Sequence, residues 1–319
     1  MNDLVPVAKH LVRPDLFDKA RDYAARSKSA ATIRAYRSAL RSFITWCKAQ
    51  GVMEPFPSPP ALVAAYLADK AASLKVSTLQ RHLVAINEAH VAAGLERPSS
   101  APEVRATMKG IRRTHGTAPK KKAPLSVSHL RRIVHRLPRS IIGVRDHALL
   151  LVCYAGALRR SELVNLSVGD LDFREDGLAI TVRKSKTDQE SEGRVVGIPF
   201  GSNPMTCPVR AMRRWLEVSE ITSGPVFRPV NRHGQVRQSR LSGKAVGVIV
   251  QRSVELIGMD PAGFGGHSLR AGLATDAANA GVSERAIMQQ TGHRSVATVR
   301  GYIRNGSLFL NNAAAAVGL

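Results

Sequence analysis

The chain is 319 residues long and carries 47 Lys and Arg against 24 Asp and Glu, a formal charge of +23. That length can hold two domains with separate cores, and the charge favours a polyanionic partner, nucleic acid before membrane. The longest apolar run, 148–158, is well short of the ~20 residues a membrane span needs, and residues 1–10 show no charged region followed by an apolar core; no membrane association and a soluble, cytoplasmic protein are expected.

Cys47, Cys153 and Cys207 are far apart and lack Cys-x-x-Cys spacing, so buried free thiols are expected rather than disulfides or a zinc site. No His-Glu-x-x-His, phosphate-cradling glycine loop or Asp-rich cluster occurs, and the chemistry is expected to need no metal or nucleotide cofactor.

In chain order, residues 1–115 read as four or five short helices without strand-like alternation. Ile33, Tyr36, Leu40, Phe43 and Ile44 recur at helical spacing, and Gly51 ends that run. The proline-rich 55–60 breaks the chain before a helix opened by Leu62, Val63, Tyr66 and Leu67; 77–93 and 102–113 are further candidates.

From Val104 to Arg145 there is no Asp or Glu, while Arg112, Arg113, Lys120, Lys121 and Lys122 are among the cations there. Residues 116–124 have the Gly, Pro and Lys content of an extended linker. A charge run is usually a solvated surface; between two candidate domains, phosphate neutralisation favours a strap across DNA. The expected division is 1–115, 116–124 and 125–319.

Beyond the linker, 126–137 and 139–155 read as helices, followed by Gly156-Ala157-Leu158-Arg159-Arg160-Ser161-Glu162-Leu163. The period then changes. The β-branched runs 178–183 and 194–199 flank the polar 184–189 and predict a small antiparallel sheet with a basic turn. Helices return over 208–219, 242–256, 268–280 and 283–290.

In Gly266-His267-Ser268-Leu269-Arg270, the histidine and arginine are three apart and share a face near a helix N-terminus, where backbone N–H groups favour an anion. Nine positions separate His293 from Tyr302, which an unbroken helix would turn to opposite faces. A fresh helix capped by Ser295 would let both meet one cleft. Taken alone, Tyr302 is equally an amphipathic-helix tyrosine with a polar handle.

Taken together, Arg159 after a small-residue turn, Lys186 on a turn between strands, His267-Ser268-Leu269-Arg270, Thr291-Gly292-His293 and Tyr302-Ile303-Arg304 closely resemble the tyrosine recombinase family, the group of phage integrases and Cre recombinase. The resemblance covers 125–310 by motif and 15–115 by architecture alone. It implies a two-domain, mainly α fold with a small antiparallel sheet in the C-terminal domain. The N-terminal domain would be a helical core-binding module, and the two together a C-shaped clamp around double-stranded DNA. It further implies cleavage and rejoining through a 3′-phosphotyrosyl link and a Holliday junction.

By matching position, Tyr302 would be the nucleophile; Arg159 and Arg270 would hold the non-bridging oxygens, and His293 would add a hydrogen bond there. Lys186 would protonate the departing 5′-oxygen and His267 would assist proton transfer at the phenol. Lys184 competes with Lys186 for the acid's role, and Glu162 is either a supporting partner or an ordinary surface residue. The resemblance also implies a bacterial, phage or plasmid source, an inverted-repeat target, and a homotetramer closed by exchange of an apolar helix over 308–317. Rival readings are a type IB topoisomerase and a DNA-binding protein with a silent site.

Overall fold

The computed structural model describes residues 14–118, 122–183, 193–293 and 295–306. The expected roles of Lys120, Lys121, Lys184, Lys186 and the apolar stretch 308–317 fall outside them. The described residues form two compact units that divide near residue 120.

The first unit is all helical: α1 (Pro14–Arg26), α2 (Ala30–Ala49), α3 (Pro60–Ala71), α4 (Val76–Ala92) and α5 (Pro102–His115). Ser29 caps α2 by accepting the Thr32 N–H, and the chain leaves it through Gly51 at φ +82°. Prolines at the starts of α3 and α5 sit where a helix has no use for the missing N–H. One face of each of α2 to α5 enters a core built on Phe43, Tyr66, Leu67, Leu79, Ile86 and Met108. The Tyr66 hydroxyl stays paired inside it, 2.7 Å from His82 Nδ1.

The second unit begins with α6 (Val127–Val134), α7 (Ile141–Ala155) and the short α8 (Arg160–Asn165). A three-stranded antiparallel sheet follows, in the order β1 (Leu171–Phe173), β2 (Gly177–Val182), β3 (Arg194–Pro199). The register pairs Leu171 with Ile180 and Ile180 with Val196. The unit ends with α9 (Pro208–Ser219), α10 (Gly243–Glu255), α11 (Ser268–Asn279), α12 (Glu284–Thr291) and α13 (Val296–Gly306). The longest apolar run of the sequence is the buried α7, covered on all sides. Among the described residues no helix is long and apolar enough to cross a membrane.

Two features of this unit place the later chemistry. Asp276 of α11 accepts hydrogen bonds from the first N–H of α6, at Val127, and from the Tyr154 hydroxyl of α7, at 2.6 and 2.5 Å. Three helices are tied at one carboxylate, which sits favourably at a helix N-terminus. Gly272, one turn further back on α11, lies so close to the chain at Leu125 that an added Cβ would be 1.9 Å from the Leu125 carbonyl oxygen. All three cysteines are free and buried.

Helix ends differ from the sequence reading by one to three residues; α6, for instance, stops at Val134 rather than 137. Strand β1 was not foreseen, because three residues are too few to show a period.

Gly272→Ala should lower the stability of this unit by about 1–3 kcal/mol or more, because backbone rather than a flexible side chain must move. Urea unfolding followed by circular dichroism checks this, and a midpoint equal to that of the unsubstituted protein would contradict it.

Candidate active site

The site starts where α7 ends. Past Gly156 the chain turns through Ala157, held in the left-handed region at φ +45°, and Leu158 drops into the core with its N–H on the Cys153 carbonyl. This sharp turn makes Arg159 the N-cap of α8. Glu162, three residues on, reaches back: its Oε2 accepts the Arg159 backbone N–H at 3.0 Å and its Oε1 accepts Arg159 Nη1 at 2.5 Å. The Glu162 side chain is completely buried, so it is an internal anchor and not a surface residue. A second guanidinium shares it, with Arg194 Nη2 3.1 Å from Oε2. A buried carboxylate is tolerable only with such partners.

Arg270 lies one turn inside α11 and is 1% exposed. Its Nη1 donates to the Ala157 carbonyl at 2.6 Å, which ties it to the turn before Arg159. Its Nε and Nη2 are buried and find no acceptor among the described residues. Leaving a buried donor unsatisfied costs about 1–3 kcal/mol, more for a charged group. Burial, then the charge of Arg159, pushes the Arg270 pKa down to about 10, with Glu162 opposing. The group stays a cation at neutral pH, and it is built to receive an anion.

His267 is the exposed N-cap residue of α11, and its Nε2 lies 2.6 Å from the Tyr302 hydroxyl. Burial by surrounding groups, then Arg270 and Arg159, hold its pKa below the usual histidine value. The imidazole is therefore neutral near pH 7, and in the tautomer that leaves Nε2 bare it accepts the phenol's hydrogen bond. Burial raises the Tyr302 pKa while Arg270 and Arg159 pull against it.

Gly292 ends α12 in the left-handed conformation at φ +62°, and His293 follows it directly, in the gap before the helix that carries Tyr302. Helix α13 then starts afresh, with Val299 packed into a small cluster with Ala274, Ala278 and Ile287. The Tyr302 and His293 rings come within 5.8 Å, centroid to centroid. Thr291 has one hydroxyl proton, which it donates to the Ile287 carbonyl at 2.6 Å. The 2.7 Å contact between Thr291 Oγ1 and His293 Nδ1 is then donated by the histidine. Burial, followed by Arg270, Arg159, His267 and Arg194, pushes the His293 pKa down to about 3. In the free protein His293 is neutral, and this bond places its proton on Nδ1 and leaves Nε2 bare.

Arg159, Glu162, His267, Arg270, His293 and Tyr302 thus converge from the starts of α8 and α11, the end of α12 and the body of α13. Arg112 and Arg113 belong to the first unit, exposed on the last turn of α5, where Arg112 Nη2 donates to Gln80 Oε1 at 2.5 Å. Lys122 donates to the Ala262 carbonyl. Arg194 was missed in the sequence. The signal was there: Arg194, Val196 and Ile198 share one face of β3, and the latter two are buried, so an arginine of that parity points inward.

The phage integrase family model matches residues 124–307. An integrase/recombinase XerD homolog of Selenomonas ruminantium is 38% identical over 299 residues, covering 92% of this chain and 87% of that one. The recombinase Cre of Escherichia phage P1 is 31% identical over 315 residues, covering 92% and 89%. Among solved structures, the XerH site-specific recombinase in a post-cleavage complex with palindromic difH aligns over 91% of this chain and 81% of its own, with TM-score 0.67 and 17% identity. A lambda integrase dimer on a COC′ core site aligns over 90% and 93%, with TM-score 0.58 and 18% identity. At such identities the structures speak for the fold, while the family model and the two relatives speak for descent: the chain belongs to the phage integrase family of tyrosine recombinases.

Proposed function

We propose that the protein is a site-specific DNA recombinase that cuts and rejoins double-stranded DNA through a tyrosyl phosphodiester. The observation that carries this reading is the Tyr302 hydroxyl on a neutral His267, in the field of two arginines of which Arg270 has two buried nitrogens without an acceptor among the described residues.

Tyr302 Oη attacks the scissile phosphorus as His267 Nε2 takes the phenol proton. The bond from phosphorus to the 5′-oxygen breaks, and that oxygen leaves as a hydroxyl with a proton from a general acid. Lys186 is our candidate for the acid. A phenol has an ordinary pKa near 10 and is a weak nucleophile at pH 7; placement and positive charge must make up the difference. Arg270 and Arg159 hold the non-bridging oxygens and stabilise the charge that builds on them. His293 can donate from Nε2 only after gaining a proton. The arriving phosphate favours that proton and the arginines oppose it. The covalent link conserves the energy of the broken bond, and rejoining by a partner strand needs no ATP.

The partner is duplex DNA with an inverted-repeat target, whose phosphates Arg112, Arg113 and the linker lysines 120–122 would neutralise. Two sites and four subunits, coupled by the C-terminal segment, would carry the exchange through a Holliday junction in a bacterial, phage or plasmid setting.

Two outcomes follow. Incubated in EDTA with fragments of its native genomic neighbourhood and quenched with detergent, the protein should yield a DNA adduct on Tyr302; Tyr302→Phe should bind DNA and yield none. An equal adduct from the Phe variant would refute the assignment. At DNA concentrations well below saturation, where the rate reports the free protein, the acid limb of cleavage should have its midpoint below pH 6.5, since His267 must be neutral and its pKa is held under that ordinary value. An acid limb above 6.5 would remove His267 as the base.

A further inference from the structure

We propose that Arg194 is a positioning residue for the cleavage step: it occupies one oxygen of Glu162 so that Arg159 keeps its donors for phosphate, and it braces the turn that delivers His293. This rests on the strand-cleavage reading above.

Glu162 has two oxygens to share. Oε1 takes Arg159 Nη1, and Oε2 takes the Arg159 backbone N–H and Arg194 Nη2. A guanidinium beside a free carboxylate tends to close onto both oxygens as a parallel pair. Arg194 prevents that closure by filling Oε2, and it divides the neutralising charge of Glu162 between two cations. Arg159 is thereby gripped at one end, with its other amino group 3.5 Å from the Gly292 carbonyl.

The opposite edge of Arg194 touches the turn itself. Its Nη1 donates to the Gln290 carbonyl at 3.2 Å. Its Nε, without an acceptor among the described residues, lies against Gly292, where an added Cβ would be 2.8 Å from it. The base of the side chain is set by β3, where Arg194 pairs in register with Val182, and the side chain is 21% exposed. One arginine therefore bears on the Arg159 anchor and on the residues that precede His293. Gly292 has two reasons to be glycine: its left-handed φ and the guanidinium beneath it.

The test uses the full chain and a duplex carrying the site recovered by trapping the unsubstituted protein, with either the natural scissile phosphate or a methylphosphonate there. The methyl group removes one negative charge, so a misplaced cation matters less. Arg194→Met should bind the duplex normally and cleave the phosphate about a hundredfold more slowly, as expected for a small misplacement of a reacting group. On the methylphosphonate its deficit should shrink by about tenfold or more. Arg194→Lys, which keeps the charge and loses the fork, should fall between. Added to Glu162→Gln, Arg194→Met should cost less than it does alone, because part of its effect runs through the Glu162 contact.

Cleavage by Arg194→Met within about twofold of the unsubstituted protein would overturn the proposal. So would equal deficits on both substrates combined with additive losses in the double variant, which would mark a general structural role. If the unsubstituted protein formed no adduct, the cleavage reading would fail first, and that result is visible without any variant.

Discussion

The arrangement depends on keeping cations close together in a partly water-free site. Arg159 and Arg194 lie near enough to Arg270 and His293 to lower their pKa values, and Arg270 and Arg159 act in the same way on His267. One buried carboxylate, Glu162, stands among them and makes ion pairs with two. Arg270 is the exception. Among the described residues a single carbonyl holds it, and two of its donors are unspent. An excess of fixed positive charge is costly in the free protein and becomes favourable when a phosphate enters, which is the form that electrostatic preorganisation takes.

The same excess sets the protonation states. Both histidines are driven neutral, His293 further than His267. A neutral His267 can accept the Tyr302 proton, whereas an imidazolium there could not. The backbone makes this possible at three tight places: the left-handed turn at Ala157, the close approach of Gly272 to Leu125, and the left-handed stop at Gly292. Ala157 precedes Arg159, Gly272 lets α11 lie against the chain at Leu125, and Gly292 precedes His293.

Much of this was legible in the sequence, for identifiable reasons. Arg159, His267, Arg270, His293 and Tyr302 stand in short motifs whose order carries the information, and the nine positions from His293 to Tyr302 required a fresh helix, which starts at Val296. Helices with a strong apolar face, such as α2 and α9, were read nearly to their ends. Other parts depend on contacts between distant segments. Spacing put Glu162 on the face of Arg159 but could not say that the carboxylate is buried, since burial comes from the elements packed over it. Arg194 was overlooked because a charged residue opening a strand looks solvent-facing until its parity with Val196 and Ile198 is counted. The proton position on His293 follows from a hydroxyl of Thr291 that is already committed elsewhere.

The central claim is that Arg270 is held buried and under-bonded to receive a phosphate. The most direct measurement is a crystal structure of the Tyr302→Phe protein on its cleavage-site duplex. The account predicts non-bridging oxygens of the scissile phosphate within hydrogen-bond distance of Arg270 Nε and Nη2, with the Nη1 bond to the Ala157 carbonyl retained. A scissile phosphate bound elsewhere, with those two N–H groups still unpaired or turned to protein acceptors, would contradict it.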